Sequence, residues 1–369
     1  MIADLVVTFV FILFAMVMLL GLATLLTWVE RKLSAMMADR IGANRCYVKI
    51  PLINVKLIAL GLFHAMADGL KMMSKERFIP KDADKFLFLL APWIVFAPVL
   101  LMFALIPFGG IIYPEKIFGS FFAGKAYLMQ IAPLDGGALI ILAISGICII
   151  GVVLAGWASN NKYSLLGSIR AASQMISYEV ALGLSLLPMV LTYGSLDLHT
   201  MIVAQQGSML GGVLPAWGIF LSPLTAIIYL TAATAENKRI PFDIPEAESE
   251  IIAGFFTEYS GMRMALFMFA EFAEIVIISC VFVVFFLGGY NLPYWDFAGS
   301  FPRLAIVLWP TIFFIKVFIV SCFQILVRWS LPRFRYDQLL TFGWKFLLPL
   351  AMVNITVVTL FLWLVQKHQ

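Results

Sequence analysis

The sequence predicts an all-α integral membrane protein of about eight transmembrane helices, with both termini on the outer side and an amphipathic surface helix after the first span. Composition predicts the class: of 369 residues, 62% are hydrophobic and 12% charged, and mean hydropathy is +0.99, whereas soluble domains carry about one quarter charged residues. The apolar residues fall in uninterrupted runs near the length of about 20 that crosses a bilayer. They do not alternate as barrel strands would. The third observation is the distribution of Lys and Arg, which sets orientation. With the N-terminus outside, 20 of the 25 bases fall on inner connections or at their edge, and four fall outside.

Eight spans are expected, at about 4–28, 86–107, 137–157, 174–193, 214–234, 262–287, 304–327 and 346–365. The first carries Asp4, lacks a basic leader region, and is followed by Glu30, Arg31 and Lys32, so it reads as a retained span, not a signal peptide. The connection 29–85 is too long for a turn. Within it, apolar residues on one helical face alternate with Lys56, His64, Asp68, Lys71 and Lys75, so a surface helix is expected at about 51–75. The outer connection 108–136 is rich in Gly, Pro and aromatic residues, and 194–213 has no Lys or Arg. No separate soluble domain and no clear internal repeat are visible, so 1–369 reads as one polytopic membrane domain.

Charge is concentrated in the inner loop 235–261. Glu236, Asp243, Glu246, Glu248, Glu250 and Glu258 lie within 23 positions of a chain that has only 21 acids. Local structure accounts for part of this. Pro245 suits a first helical turn, Asp243 can cap it with Glu246 as capping-box partner, and acids there favour the helix dipole. Capping does not account for Glu250 or Glu258, and Glu246 and Glu250 repel at i, i+4. Further acids lie inside the spans: Glu179 in span four, and Glu271 and Glu274, three apart, in span six. Glu236 closes span five, and Lys316 lies in span seven. Each costs about 2.5–3.5 kcal/mol at a helix centre on insertion scales, and such groups commonly mark proton relays. The alternative reading is a structural ion pair or a group that snorkels to water.

Several chemistries lack their motifs. There is no GxGxxG at a strand-to-helix turn, no GxxxxGK[ST] and no HExxH. Cys46, Cys148, Cys280 and Cys322 have no metal-ligand or redox-pair spacing. With His64, His199 and His368 as the only histidines, no metal site and no flavin, haem or iron–sulfur cluster is expected on this chain alone. No basic tail suggests nucleic acid.

The segment TAENKRIPFDIPEAESEIIAGFFTEYSGMRMALFMFAEF closely resembles the signature connection of the membrane-embedded H subunit of proton-pumping NADH:quinone oxidoreductase, respiratory complex I, whose mitochondrial counterpart is subunit 1. WVERKLSAMMADRIGANR, ADGLKMMSKERFIP, GWASNNKYSLLGSIRAASQMISYEVALGLSLL and LPRFRYDQLLTFGWKFLLPL match in order, so the resemblance covers essentially the whole chain. It implies an eight-helix subunit that forms the membrane side of a quinone chamber and couples quinone reduction to proton translocation. Such a chain would not be catalytic alone. By motif, Glu179, Glu236 and Glu271 match intramembrane acids of a proton path, and Asp243, Glu246, Glu248 and Glu250 match an acidic loop beneath the chamber. Arg31, Arg40, Asp68 and Arg239 match charged positions at the chamber and its entrance. Arg333 and Arg335 match a basic pair in the connection before span eight.

The resemblance further implies ubiquinone or menaquinone as bound substrate. It implies partners bearing the clusters at the quinone site, small and antiporter-like membrane subunits, and the lipid bilayer of a bacterial inner membrane. This chain departs from the family where Gly42-Ala43-Asn44 replaces Gly-Pro-Asn and where the segment from Cys46 to His64 is longer than usual. Glu274 is not assigned by the family pattern and reads as a local substitute or as an additional relay acid. The alternatives are the related subunit of a membrane-bound hydrogenase and a stand-alone proton-coupled transporter. The transporter would show matched broken helices at mid-membrane.

Overall fold

Each long apolar run forms a helix because, without water, only internal hydrogen bonding satisfies the backbone. The computed structural model describes residues 2–50, 55–57, 59–113, 126–209, 214–244, 252–294 and 302–367. In chain order the helices are α1 (Ile2–Met37), α2 (Phe63–Ser74), α3 (Lys85–Ala104), α4 (Gly137–Ala158), α5 (Lys162–Tyr193), α6 (Leu198–Ala204) and α7 (Gly218–Leu221). They continue with α8 (Pro223–Glu236), α9 (Met262–Phe286), α10 (Pro302–Ser330), α11 (Tyr336–Thr341) and α12 (Leu348–Lys367). Among the described residues, seven helical segments are long and apolar enough to cross a membrane. The last of these joins α11 to α12 through a π-helical turn, Phe342–Leu347.

Local chemistry sets the ends. Asp84 caps α3 by accepting from the amides of Phe86 and Leu87, and Asn161 caps α5 by accepting from Tyr163 N. At the other end of α5, Gly194 takes the left-handed conformation (φ 65°) that glycine adopts without steric cost.

The axis of the bundle is α9. Its most apolar window is 94% buried, against 11% for α1 and 17% for the α11–α12 segment. Small residues let the helices approach closely. A Cβ on Gly151 of α4 would lie 2.6 Å from Val95 of α3, and one on Gly156 would lie 2.1 Å from Ser168 Oγ of α5.

Two stretches differ from the sequence expectation. The fifth expected span, 214–234, is not one long helix: α8 has 14 residues, about 21 Å at 1.5 Å each, and α7 precedes it with four. Pro223 starts α8 at its first turn and disfavours helical geometry for Ser222, which sits at φ −146°, ψ 75°. The surface helix is also shorter than 51–75. It begins at Phe63, and Val55–Leu57 is instead a strand paired antiparallel with Val48–Ile50. The β-branched residues there favour extended backbone. Two further two-residue ladders, Ile111–Ile112 with Tyr127–Leu128 and Ser208–Met209 with Leu214–Pro215, close other connections.

Candidate functional site

At the end of α8 the chain turns sharply, and residues 235–244 fold back under the bundle. Gln174 of α5 holds the turn. Its buried side-chain amide donates to Ala235 O at 2.7 Å and Phe242 O at 2.6 Å. Lys238 carries a left-handed φ of 53° and is buried. Arg333 donates to Asp243 at 3.2 Å, and Phe334 N donates to Pro241 O at 3.1 Å, so the basic connection after α10 clamps the loop from below. The Phe242 ring stacks on Phe334 at 5.6 Å.

The turn delivers Arg239 into a largely buried charge cluster, of which Glu271 is the most enclosed member. Its guanidinium lies 3.5 Å from Glu30 of α1 and 3.4 Å from Glu271 of α9, and 4.6 Å over the Phe272 ring. Arg328 of α10 donates to the other oxygen of Glu30. Four segments of the chain thus converge on two acids and two bases, which suits guanidinium's rigid fork and resistance to deprotonation. A small cavity of about 10 Å³ lies among Glu30, Arg239, Arg328, Asn237 and Gln324.

On the other side of Glu30 opens a larger cavity of about 430 Å³ between α1, α2 and α9. Its walls are mixed. Met72, Met268, Phe269, Phe272 and Trp329 supply apolar surface, and Glu30, Arg31, Asp68, Lys71 and Lys75 supply charge. Arg31 pairs with Asp68 across the cavity mouth, joining α1 to α2. The size falls in the range of about 300–1,000 Å³ typical of small-molecule sites.

A third cavity, of about 30 Å³, lies inside the bundle. Glu236, Glu274, Tyr229 and Ser145 line it among apolar residues. Ser145 Oγ stands 3.4 Å from Glu179 Oε1, so the three acids of α5, α8 and α9 belong to one interior region. Glu271 and Glu274 therefore face different surroundings despite their spacing of three: the first meets Arg239, the second the interior cavity.

The remaining predicted residues are dispersed. Arg40 is exposed at the turn after α1 and is not in the cavity lining. Arg335 starts α11, where its backbone amide donates to Gln338, away from the acids. Glu246, Glu248 and Glu250 lie outside the described residues, as does the expected cap at Pro245. Glu258 accepts from Asn161 Nδ2 at 2.7 Å, a tie between α5 and the loop. Beside it, Tyr259 stacks on Phe88 at 4.2 Å and donates to Phe88 O. Burial pushes the Tyr259 phenol up from its ordinary value, which keeps it a neutral donor.

Sequence reasoning missed Glu30 and Arg328. Each sits at the C-terminal end of a long apolar run, and that shared position was the available signal. It also missed what Lys316 does: its ammonium donates to Leu287 O, Gly289 O and Asn291 O at 2.7, 2.9 and 2.6 Å, closing the end of α9. Among the described residues there is no group of three His, Cys, Asp or Glu arranged to hold a metal ion.

A family model described as NADH dehydrogenase matches residues 9–359. The chain is 41% identical over 346 residues to the H subunit of the NADH-quinone oxidoreductase of Flavobacterium psychrophilum, covering 93% of each chain. It is 44% identical over 338 residues to an H subunit (numbered 1) of the NADH-quinone oxidoreductase of Geobacter metallireducens, covering 92% of this chain and 91% of that one. It is 38% identical over 368 residues to the corresponding H subunit of Bdellovibrio bacteriovorus, covering 93% and 92%. Identity of this extent along nearly the full length, on a bundle of apolar helices, establishes that the chain belongs to the NADH dehydrogenase family that includes the H subunit of NADH-quinone oxidoreductase.

Proposed function

We propose that this chain forms the membrane side of a quinone-binding chamber and transmits the charge change of quinone reduction to intramembrane carboxylates. The observation that carries the reading is the position of Glu30, which both lines the 430 Å³ cavity and shares Arg239 with Glu271. An isoprenoid quinone needs an apolar passage for its tail, and Met72, Met268, Phe269 and Trp329 supply apolar wall. The electrons come from an iron–sulfur cluster carried by a partner protein of the complex. Reduction to the quinol consumes two electrons and two protons, so negative charge or proton demand develops at the chamber wall.

Arg239 is the element that responds. Loss or gain of a proton by Glu30 or Glu271 shifts the balance between its two partners. In a low-dielectric interior that shift is felt over a longer range than in water. Glu236, Glu274 and Glu179 lie farther inside and receive the signal, and Asp243, Glu246, Glu248 and Glu250 supply further carboxylates to the same path. Arg31 and Asp68 frame the entrance. The neighbours on the exposed faces of α1 and α12 are the small and antiporter-like membrane subunits and lipid. Both termini are outside a bacterial inner membrane, which makes an eighth crossing from α7, α8 and the segment before them.

The test is made in the assembled complex reconstituted in vesicles. Glu236→Gln and Glu271→Gln are each expected to lower proton pumping about tenfold or more. Glu271→Gln should also raise the quinone KM, because it removes one partner of Arg239. Wild-type quinone reduction and wild-type pumping in both variants would sink the reading.

A further inference from the structure

The interior cavity holds two carboxylates that have no partner among the described residues. Glu236 and Glu274 are 5% and 6% exposed and line the same space of about 30 Å³. Among the described residues neither accepts a hydrogen bond or forms an ion pair, although 21 polar and charged residues are buried in this bundle and most of those are tied to a named partner. The polar neighbours are occupied elsewhere. Tyr229 donates its hydroxyl to Ile278 O at 3.2 Å, and Ser145 donates to Leu142 O at 2.8 Å. Cys148 donates to Val95 O at 3.6 Å. The Arg239 guanidinium is committed to Glu30 and Glu271. Lys238, two residues from Glu236, is buried, and its ammonium stands 5.7 Å over the Phe255 ring.

Two ionised carboxylates facing one small cavity repel, and each bears the full cost of burial without a donor. Two protonated ones can donate to each other but leave no site for an incoming proton. One proton between the two satisfies both, because the protonated acid donates towards the ionised one, directly or through water. The space accommodates about two waters at roughly 10–15 Å³ each. Ser145, on the same wall, stands 3.4 Å from Glu179.

We infer that Glu274 and Glu236 hold a single shared proton across the interior cavity, and that this pair, not Glu271, hands charge to Glu179 past Ser145. The inference rests on the relay reading above and assigns its parts. Glu271 belongs to the Arg239 cluster and senses the chamber. Glu274, one turn farther along α9, belongs to the proton store. No covalent bond changes in the handover beyond the acid protons: one O–H bond breaks at the donor carboxyl and one forms at the acceptor.

The experiment uses the assembled complex in vesicles and three readouts: quinone reduction, protons pumped, and the infrared carboxyl band that shifts in heavy water. Glu274→Gln should cut pumping per quinone reduced about tenfold or more with the quinone KM unchanged. The protonated-carboxyl band of the pair should shift in Glu274→Gln and in Glu236→Gln but stay in place in Glu271→Gln. Glu274→Asp, which keeps the charge, should restore part of the pumping. Glu274→Gln with wild-type pumping and an intact band overturns the inference while leaving the relay reading in place. That reading falls separately, if Glu236→Gln and Glu271→Gln also pump as wild type does.

Discussion

A single arginine organises the chemistry at the residue scale. Arg239 lies between Glu30 and Glu271 at 3.5 and 3.4 Å, with Arg328 closing the far side of Glu30. The cluster has two bases for two acids, so removal of one member leaves a buried charge unmatched, a loss of about 3–5 kcal/mol for a buried pair. A neutral residue is equally decisive. Gln174 carries no charge and would not stand out among candidate site residues, yet its amide ties Ala235 O to Phe242 O and so shapes the turn that presents Arg239. Gln174→Leu should destabilise the protein by about 1–3 kcal/mol through the two stranded carbonyls. A lowered thermal midpoint of the purified complex, with quinone reduction falling in parallel, is the expected measurement.

Among the elements, α9 presents two acids to different surroundings because they differ by three positions and thus by about 60° around the axis. Its C-terminal end depends on Lys316 of α10, which reaches across to Leu287 O, Gly289 O and Asn291 O and lies 4.6 Å over Trp217. An intramembrane lysine reads naturally as a proton carrier. Here three carbonyls occupy its three donors, and its role is to hold the turn that follows α9, whose carbonyls would otherwise lack these bonds. Lys316→Met should therefore destabilise by about 3 kcal/mol or more, as a loss of assembled complex in native gels. Complex that does assemble should retain wild-type pumping per quinone reduced. A pumping defect at full assembly would instead make Lys316 a relay member.

For the whole molecule, the helices and the loop before α9 approach closely. A Cβ on Gly167 of α5 would lie 2.6 Å from the backbone of Gly254, in the loop between the acidic stretch and α9. Gly167→Ala must push the two apart, since backbone, unlike a side chain, cannot rotate out of the way; the expected cost is about 1–3 kcal/mol. A lower thermal midpoint is expected, together with weaker coupling of pumping to quinone reduction, because the displaced loop carries Glu258 and leads into α9. Unchanged stability would show that α5 and the loop shift without strain.

The sequence by itself determined the class, the helices and the inventory of acids. Apolar runs must become helices in a bilayer, and a rare intramembrane carboxylate is visible without coordinates. Glu179, Glu236 and Glu271 were legible for that reason, and Asp68 by its place on an amphipathic face. The resemblance added the chamber, but no periodicity could pair Glu30 with Arg239 across 209 positions. Nor could it show that Pro223 divides the fifth run into α7 and α8, since hydropathy averages over the break. Only tertiary structure decided which acids share surroundings. It set Glu271 against Arg239 and turned Glu274 towards Glu236, because helix packing, not spacing along the chain, determines which side chains face the same cavity.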